Sequence, residues 1–340
     1  GPDNLPQSLG DGPDIYPYAS DQTLDLYSRG ALKKLGKSES QLIREKMGED
    51  AYNYAYLKGV NAPVGYPFVA DNGYVMFYDK SLVSDPSEID TLDKLFAKAQ
   101  ATGTEVNYNI ANSFYAAGAL MSYTGGESLY VCNPKSDGRF TSTSEFATNP
   151  AGLEGAKLLT KIYSYPSLSL GQETPGASRD VLATIADSSK VATFKSALGA
   201  NYACAPLPFT DETRTTRCGC YLGYKFYGIN PQRANTAERD KVATKVVQFL
   251  VSEYAQRERL AKFYNQPTLL SLQEEAAKEP HIAALQEQVK SNGVIPLTAV
   301  DPSLWESLEN ASLDIKNLGS MPTEQQYLYV LQQLDLKLTR

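Results

Sequence analysis

An α/β fold with mainly parallel sheets is predicted by two features of this 340-residue chain. Short aromatic and β-branched runs alternate with segments of helical apolar periodicity, and no internal repeat or low-complexity tract breaks the alternation. Asp14-Ile15-Tyr16 reads as a strand, Pro17-Tyr18 as its exit, and Ser20 as a helix cap with Asp21 and Gln22 in the first turn. Residues 62–70 are extended and punctuated by proline, which disfavours the middle of a sheet and suits a passage between domains. A strand over 73–78 precedes a helix over 89–100 with Leu92, Leu95, Phe96 and Ala99 on one face. A strand over 104–109 leads to a helix that opens at Asn112-Ser113, and the polar stretch 130–150 reads as a hairpin or loop. Helices are expected over 151–163 and 181–187, and extended segments over 203–208 and 222–230. Asn235 is expected to cap a helix with Val242, Val246, Phe249, Leu250 and Leu260 at helical spacing. Two helices follow, with stripes Leu304, Leu308, Ala311, Ile315 and Tyr327, Val330, Leu331, Leu334, Leu338.

Composition narrows the function. An apolar content of 42% and a charged content of 21% describe a globular chain long enough for two domains. A net charge of −7 and a pI near 5.0, with no basic run, argue against nucleic acid or anionic lipid as partner. Gly1-Pro2 reads as the remnant of a cleaved tag, ahead of which an export signal or lipid anchor would have stood. Cys218-Gly219-Cys220 lacks the spacing of a redox or zinc motif, and a single histidine, His281, makes a metal cluster a poor expectation. A disulfide from Cys204 to Cys218 or Cys220 and a set of buried thiols both fit the sequence. No cofactor is expected. There is no nucleophile elbow, P-loop or dinucleotide fingerprint, so no catalytic residues are assigned. A glycosidase remains the rival class, since it needs only two carboxylates about 5 to 10 Å apart. A protein-binding adhesin is a third.

Six segments carry a resemblance when read in order: GDGPDIYPYASDQ, GYPFVADNGYVMFYDKSL, SFYAAGALMSYTGGESLY, FYGINPQ, EEAAKEPHIAALQEQV and DPSLWESLENA. Together the chain resembles the cluster 1 extracellular solute-binding proteins, the family of the maltose and maltodextrin binders. The resemblance implies a two-lobed fold of periplasmic-binding-protein type with three interlobe crossings, near 67–71, 221–225 and 295–297. One lobe would hold 1–68 and 225–294, the other 69–224 and 295–340. It also implies a strand, helix and strand ahead of the GPD strand, and a further strand after Ser189, neither of which stands in these residues. We expect the natural chain to include them.

The resemblance further implies a ligand site. Tyr18 takes the place of a stacking aromatic, Asp21 that of a carboxylate accepting sugar hydroxyls, and Gln22 stands where the family has a basic residue. Asn72 and Ser113 fall at two family carboxylates, Tyr115 at a stacking tyrosine of the second lobe, and Trp305 at a tryptophan at the end of the aromatic path. Each has a plainer reading: Asp21 as a favourable charge at a helix start, and one tyrosine among 23 as core. Trp305, the only tryptophan, lies about 100° around its helix from the Leu304/Leu308 stripe, which favours a platform over core. His281 is expected at the surface, outside the cleft. The function expected is capture of a maltodextrin-like oligosaccharide outside the cytoplasmic membrane, in a periplasm or on a lipid anchor, and delivery to an ATP-binding-cassette permease. The alternative is another sugar or small solute. A monomer is expected.

Overall fold

The computed structural model describes residues 8–137, 139–171, 174, 180–291, 294–296, 300–301 and 303–340. The chain opens with β1 (Ile15–Ala19), α1 (Thr23–Ser28), α2 (Lys37–Ala55), the short hairpin β2 (Tyr56–Leu57) and β3 (Ala62–Pro63), and β4 (Tyr66–Asn72). It passes at Gly73 into β5 (Tyr74–Asp79), then α3 (Leu92–Thr102), β6 (Glu105–Tyr108), α4 (Ser113–Leu120), and the hairpin β7 (Tyr130–Pro134) and β8 (Phe140–Ser144). Next come α5 (Pro150–Tyr163), β9 (Leu168–Ser169), β10 (Val181–Asp187), α6 (Val191–Leu198), β11 (Tyr202–Ala205) and the long β12 (Cys220–Ile229). The last elements are α7 (Ala237–Leu250), α8 (Glu253–Phe263), α9 (Gln273–Ala276), α10 (Pro280–Lys290), β13 (Val294–Pro296), α11 (Ser303–Asn317) and α12 (Glu324–Leu338).

Two sheets organise these elements. In the first, β12 lies between β1 and β4, antiparallel to both, and its first residues pair with β13 in parallel. Ile43, Met47 and Ala51 of α2 pack with Tyr66, Phe68 and Val69 of β4 and with Ala243 and Val247 of α7. The second sheet has the order β11-β5-β10-β6-β9. Its β5 is buried along its whole length, and α3, α5, α11 and α12 supply Leu95, Leu159, Leu308 and Leu331 to the same core. Each such side chain contributes about 1.5 to 3 kcal/mol by leaving water.

The sheets are mixed, not mainly parallel as the alternation predicts. In the second sheet β5 runs antiparallel to both β10 and β11, and β10, β6 and β9 form a parallel set. β5 follows β4 directly, through Gly73, and so makes the first passage between the sheets. β12 makes a second passage: Cys220 and Tyr221 belong to the second core, Phe226 and Ile229 to the cores of the first lobe. The third expected crossing falls on 295–297, and 297 lies outside the described residues.

Capping fixes most helix starts. Thr91, Asn112, Asn149 and Ser252 each accept a backbone N–H of the first turn of α3, α4, α5 and α8. Several sequence expectations are corrected. Residues 181–187 are a strand, buried between β5 and β6, where Val181, Thr184 and Ile185 suit a pleated surface. Thr236, not Asn235, caps α7. Val242, Val246 and Phe249 are exposed, because α7 turns Ala243 and Val247 inward and a break before Ser252 starts α8. Helix α10, expected in the first lobe, puts Ala284 and Leu285 into the second core, and its Gln288 bonds Leu207 N at 2.9 Å and Cys218 O at 2.7 Å. His281 is fully buried, its Nε2 2.7 Å from Tyr264 O, and not at the surface. All four cysteines are thiols, and burial pushes those of Cys204 and Cys218 up to about 12.

The end of the chain braces α11. Arg340 exchanges backbone bonds with Ser142 of β8, at 3.1 and 3.0 Å, and its Nη1 lies 2.8 Å from Oδ2 of Asp301. Asp301 is 3% exposed and accepts Ser303 N on Oδ1, capping α11. Arg340→Ala leaves that carboxylate without its ion pair. Because the guanidinium is half exposed, the expected loss is about 1 to 2 kcal/mol, below that for a fully buried pair, read as a lowered thermal midpoint.

Candidate functional site

Where β1 ends, Ser20–Gln22 form a tight turn into α1. Gln22 closes it by accepting Ala19 N on Oε1 at 3.1 Å. Ser20, read from sequence as a helix cap, is instead fully buried and stitched to β12: its Oγ accepts Tyr224 N at 3.2 Å and lies 3.3 Å from the Tyr221 hydroxyl. The seam requires a residue without a side chain. A Cβ at Gly223 would stand 2.6 Å from Ser20 Oγ, 2.7 Å from the Tyr221 hydroxyl and 3.2 Å from Asn72 Nδ2. Asn72, at the end of β4, is thereby held beside the turn that carries Asp21.

The second lobe faces this turn with three aromatic rings. Trp305, in the first turn of α11, stands edge-on to Tyr221 at 5.5 Å and 84°, and to Phe114 at 6.3 Å and 61°. Phe114 and Tyr221 meet at 5.3 Å and 70°. Such T-shaped contacts set the positive edge of one ring against the face of the next. The indole Nε1 of Trp305 donates to Asp21 Oδ2 at 3.2 Å, joining residues 284 positions apart across the two lobes. The two lobes meet at this contact.

Beside the site, Asp71 is 3% exposed, and burial pushes its carboxyl up to about 7 against the pull of the Gln266 N–H and Lys225. Burial also raises the Tyr221 hydroxyl well above the usual tyrosine range, with the Asp21 charge adding to it. Among the described residues no cluster of His, Cys, Asp and Glu has the geometry of a metal site. A groove of about 790 Å³ lies elsewhere: Leu222 and Tyr224, on the opposite side of β12 from Tyr221 and Gly223, line it with Tyr54, Gln266 and Lys290. It contains no ring of the Trp305 cluster.

The structure thus brings together Asp21, Gln22, Asn72 and Trp305, with Ser113 buried at the first turn of α4 next to Phe114. It does not present Tyr18 or Tyr115 to the cleft. Tyr18 is 3% exposed, packs on Phe226 at 5.4 Å and donates to Val64 O at 3.2 Å. Tyr115 is 1% exposed and packs on Tyr74 at 4.8 Å. Phe114, the preceding residue, takes the cleft-side place. Sequence reasoning missed Phe114, Tyr221 and Ser20; the pairing Phe114-Tyr115 was a signal that either ring could face the cleft.

This geometry, an acid and amides at a strand exit of one lobe against an aromatic set on the other, defines a two-lobed binding protein. The sequence profile of the bacterial extracellular solute-binding proteins matches residues 6–284, and the chain belongs to that family. No curated protein sequence matches it. The structure resembles that of the maltodextrin binding protein MalE1 from L. casei BL23 without ligand, with a TM-score of 0.77 and 17% identity over 98% of this chain and 86% of that one. A second structure, described as being with acarbose, matches with a TM-score of 0.73 and 19% identity over 99% of this chain and 86% of the other. At such identities the likeness shows the fold. The family is one of extracellular solute-binding proteins, and the first of these neighbours is a maltodextrin binding protein. No helix among the described residues is long and apolar enough to cross a membrane.

Proposed function

We propose that the protein captures an oligosaccharide of maltodextrin type in the cleft between its lobes and delivers it to the permease of an ATP-binding-cassette importer. The observation that carries this reading is the Trp305–Asp21 bond between lobes beside the Phe114–Tyr221 ring pair. Flat apolar rings against a carboxylate match a sugar ring, which has an apolar face and a rim of hydroxyls. Opening the lobes frees Asp21 Oδ2 from the indole. A sugar hydroxyl then takes that acceptor, Asn72 and Ser113 supply neutral partners, and the rings cover the apolar face. Ligand that touches both lobes favours the shut state by its differential affinity for it. Asn72 and Ser113 stand where carboxylates are expected from the family, so the site discriminates less by charge and more by fit. The maltodextrin binder and the acarbose-bound structure among the neighbours support a glucan ligand. Periplasmic or lipid-anchored residence follows from delivery to a permease.

The test is a titration of intrinsic fluorescence, since Trp305 is the only tryptophan. A panel of malto- and xylo-oligosaccharides is expected to give a saturable change with the malto series. Silence across the panel on folded protein would overturn the sugar reading.

A further inference from the structure

Two turns from different lobes touch at a glycine that is not among the residues of the proposed site. Gly59 sits in the β2–β3 turn, whose Leu57 and Val60 belong to a core of the first lobe. Pro134 ends β7, in the hairpin that Tyr130 anchors to the second core and Arg340 pins through Ser142. A Cβ built on Gly59 would stand 2.0 Å from the Pro134 carbonyl oxygen, 2.4 Å from its carbon and 2.7 Å from Lys135 Cα. All three are backbone atoms, so no rotamer change relieves the overlap. The β2–β3 turn itself does not require glycine here, because Gly59 is not among the residues with positive φ.

We infer that Gly59 is an affinity-determining residue that acts through closure: the shut state is reachable because position 59 carries no side chain. The inference rests on the proposed capture of ligand between lobes. A methyl group at 59 leaves each lobe intact and penalises only the arrangement in which the β7–β8 hairpin meets the β2–β3 turn. Apparent affinity falls by the factor by which the competent state is depleted. Gly59 touches neither Trp305 nor Asp21, so the effect reaches the ligand only through the relative placement of the lobes.

The experiment compares wild type, Gly59→Ala and Gly10→Ala, the last a control in which the new carbon meets only Ser8 Oγ at 3.8 Å. Titrated with maltotriose, Gly59→Ala is expected to bind at least roughly tenfold more weakly and Gly10→Ala within about twofold of wild type. Without sugar, the melting temperature of Gly59→Ala is expected within about 1 °C of wild type. Unchanged affinity overturns the inference. So does a clear drop in ligand-free melting temperature, which would make Gly59 a requirement of one lobe. If wild type binds no oligosaccharide, the proposed function falls and a second readout decides this inference. Lys58 and Lys135 flank the contact, and a short amine cross-linker detected by mass spectrometry is expected to join them in wild type and much less in Gly59→Ala. Equal yields overturn it.

Discussion

Replacing Trp305 with alanine is expected to weaken oligosaccharide binding by about 1 to 3 kcal/mol, roughly 5- to 150-fold in dissociation constant, measured by calorimetric titration. The loss has two sources. The indole supplies apolar area next to Phe114 and Tyr221, and its Nε1 holds Asp21 at 3.2 Å when the lobes are shut. Trp305→Phe separates them, since it keeps a ring and loses the donor. Recovery of most affinity in the phenylalanine variant assigns the effect to ring contact with the sugar. A phenylalanine variant as weak as alanine assigns it to the bond that closes the lobes. An unchanged dissociation constant in Trp305→Ala removes the residue from the site.

Helices α11 and α12 were legible in the sequence residue by residue. Each lies with one face on a single core, and Leu304, Leu308, Ala311 and Ile315, like Tyr327, Val330, Leu331, Leu334 and Leu338, are all buried. Helix α7 was not, because periodicity reports an apolar stripe without saying what lies beside it. Its Val242–Val246–Phe249 stripe faces solvent, while Ala243 and Val247 are buried in the core with α2 and β4. The stretch 181–187 is too short and too rich in Ala and Leu for its pattern to exclude a helix, and only pairing with β5 and β6 decides it. The site shows the same limit at the scale of one residue. Asp21 and Trp305, singled out from sequence, lie in contact. Which tyrosine or phenylalanine turns outward depends on where α4 and β1 set their rotation, and that is fixed by distant packing: Tyr74 and Tyr108 around Tyr115, and Val64 and Phe226 around Tyr18. His281 reads as a surface residue because it follows a proline at a helix start in a region the resemblance places outside the cleft, yet it is buried with its Nε2 on Tyr264 O.

Asp71 and His281 are expected to pull stability in opposite directions across one pH window, so that each hides the other in wild type. Burial raises the Asp71 carboxyl from 3.8 to about 7. Between those values the unfolded chain has lost the proton and the folded chain keeps it, so stability falls as pH rises, by up to about 4 kcal/mol in all. Burial lowers His281 from 6.5 to about 4. In that interval the unfolded chain binds a proton that the folded chain refuses, so stability falls as pH drops, by up to about 3 kcal/mol. Asp71→Asn keeps an oxygen for the Gln266 N–H, bonded at 2.7 Å in the native protein, and removes the ionisation. It is expected to be more stable than wild type by about 2 to 4 kcal/mol at about pH 8, with most of that advantage gone near pH 4. His281→Gln keeps an N–H donor within reach of Tyr264 O and removes the acid loss, so its advantage appears near pH 4 and vanishes at about pH 8. Urea unfolding of the three proteins at both pH values reads the outcome. An Asp71→Asn variant no more stable than wild type at the higher pH would show that the carboxylate ionises in the folded protein without penalty, with water or Lys225 reaching it at the passage between β4 and β5.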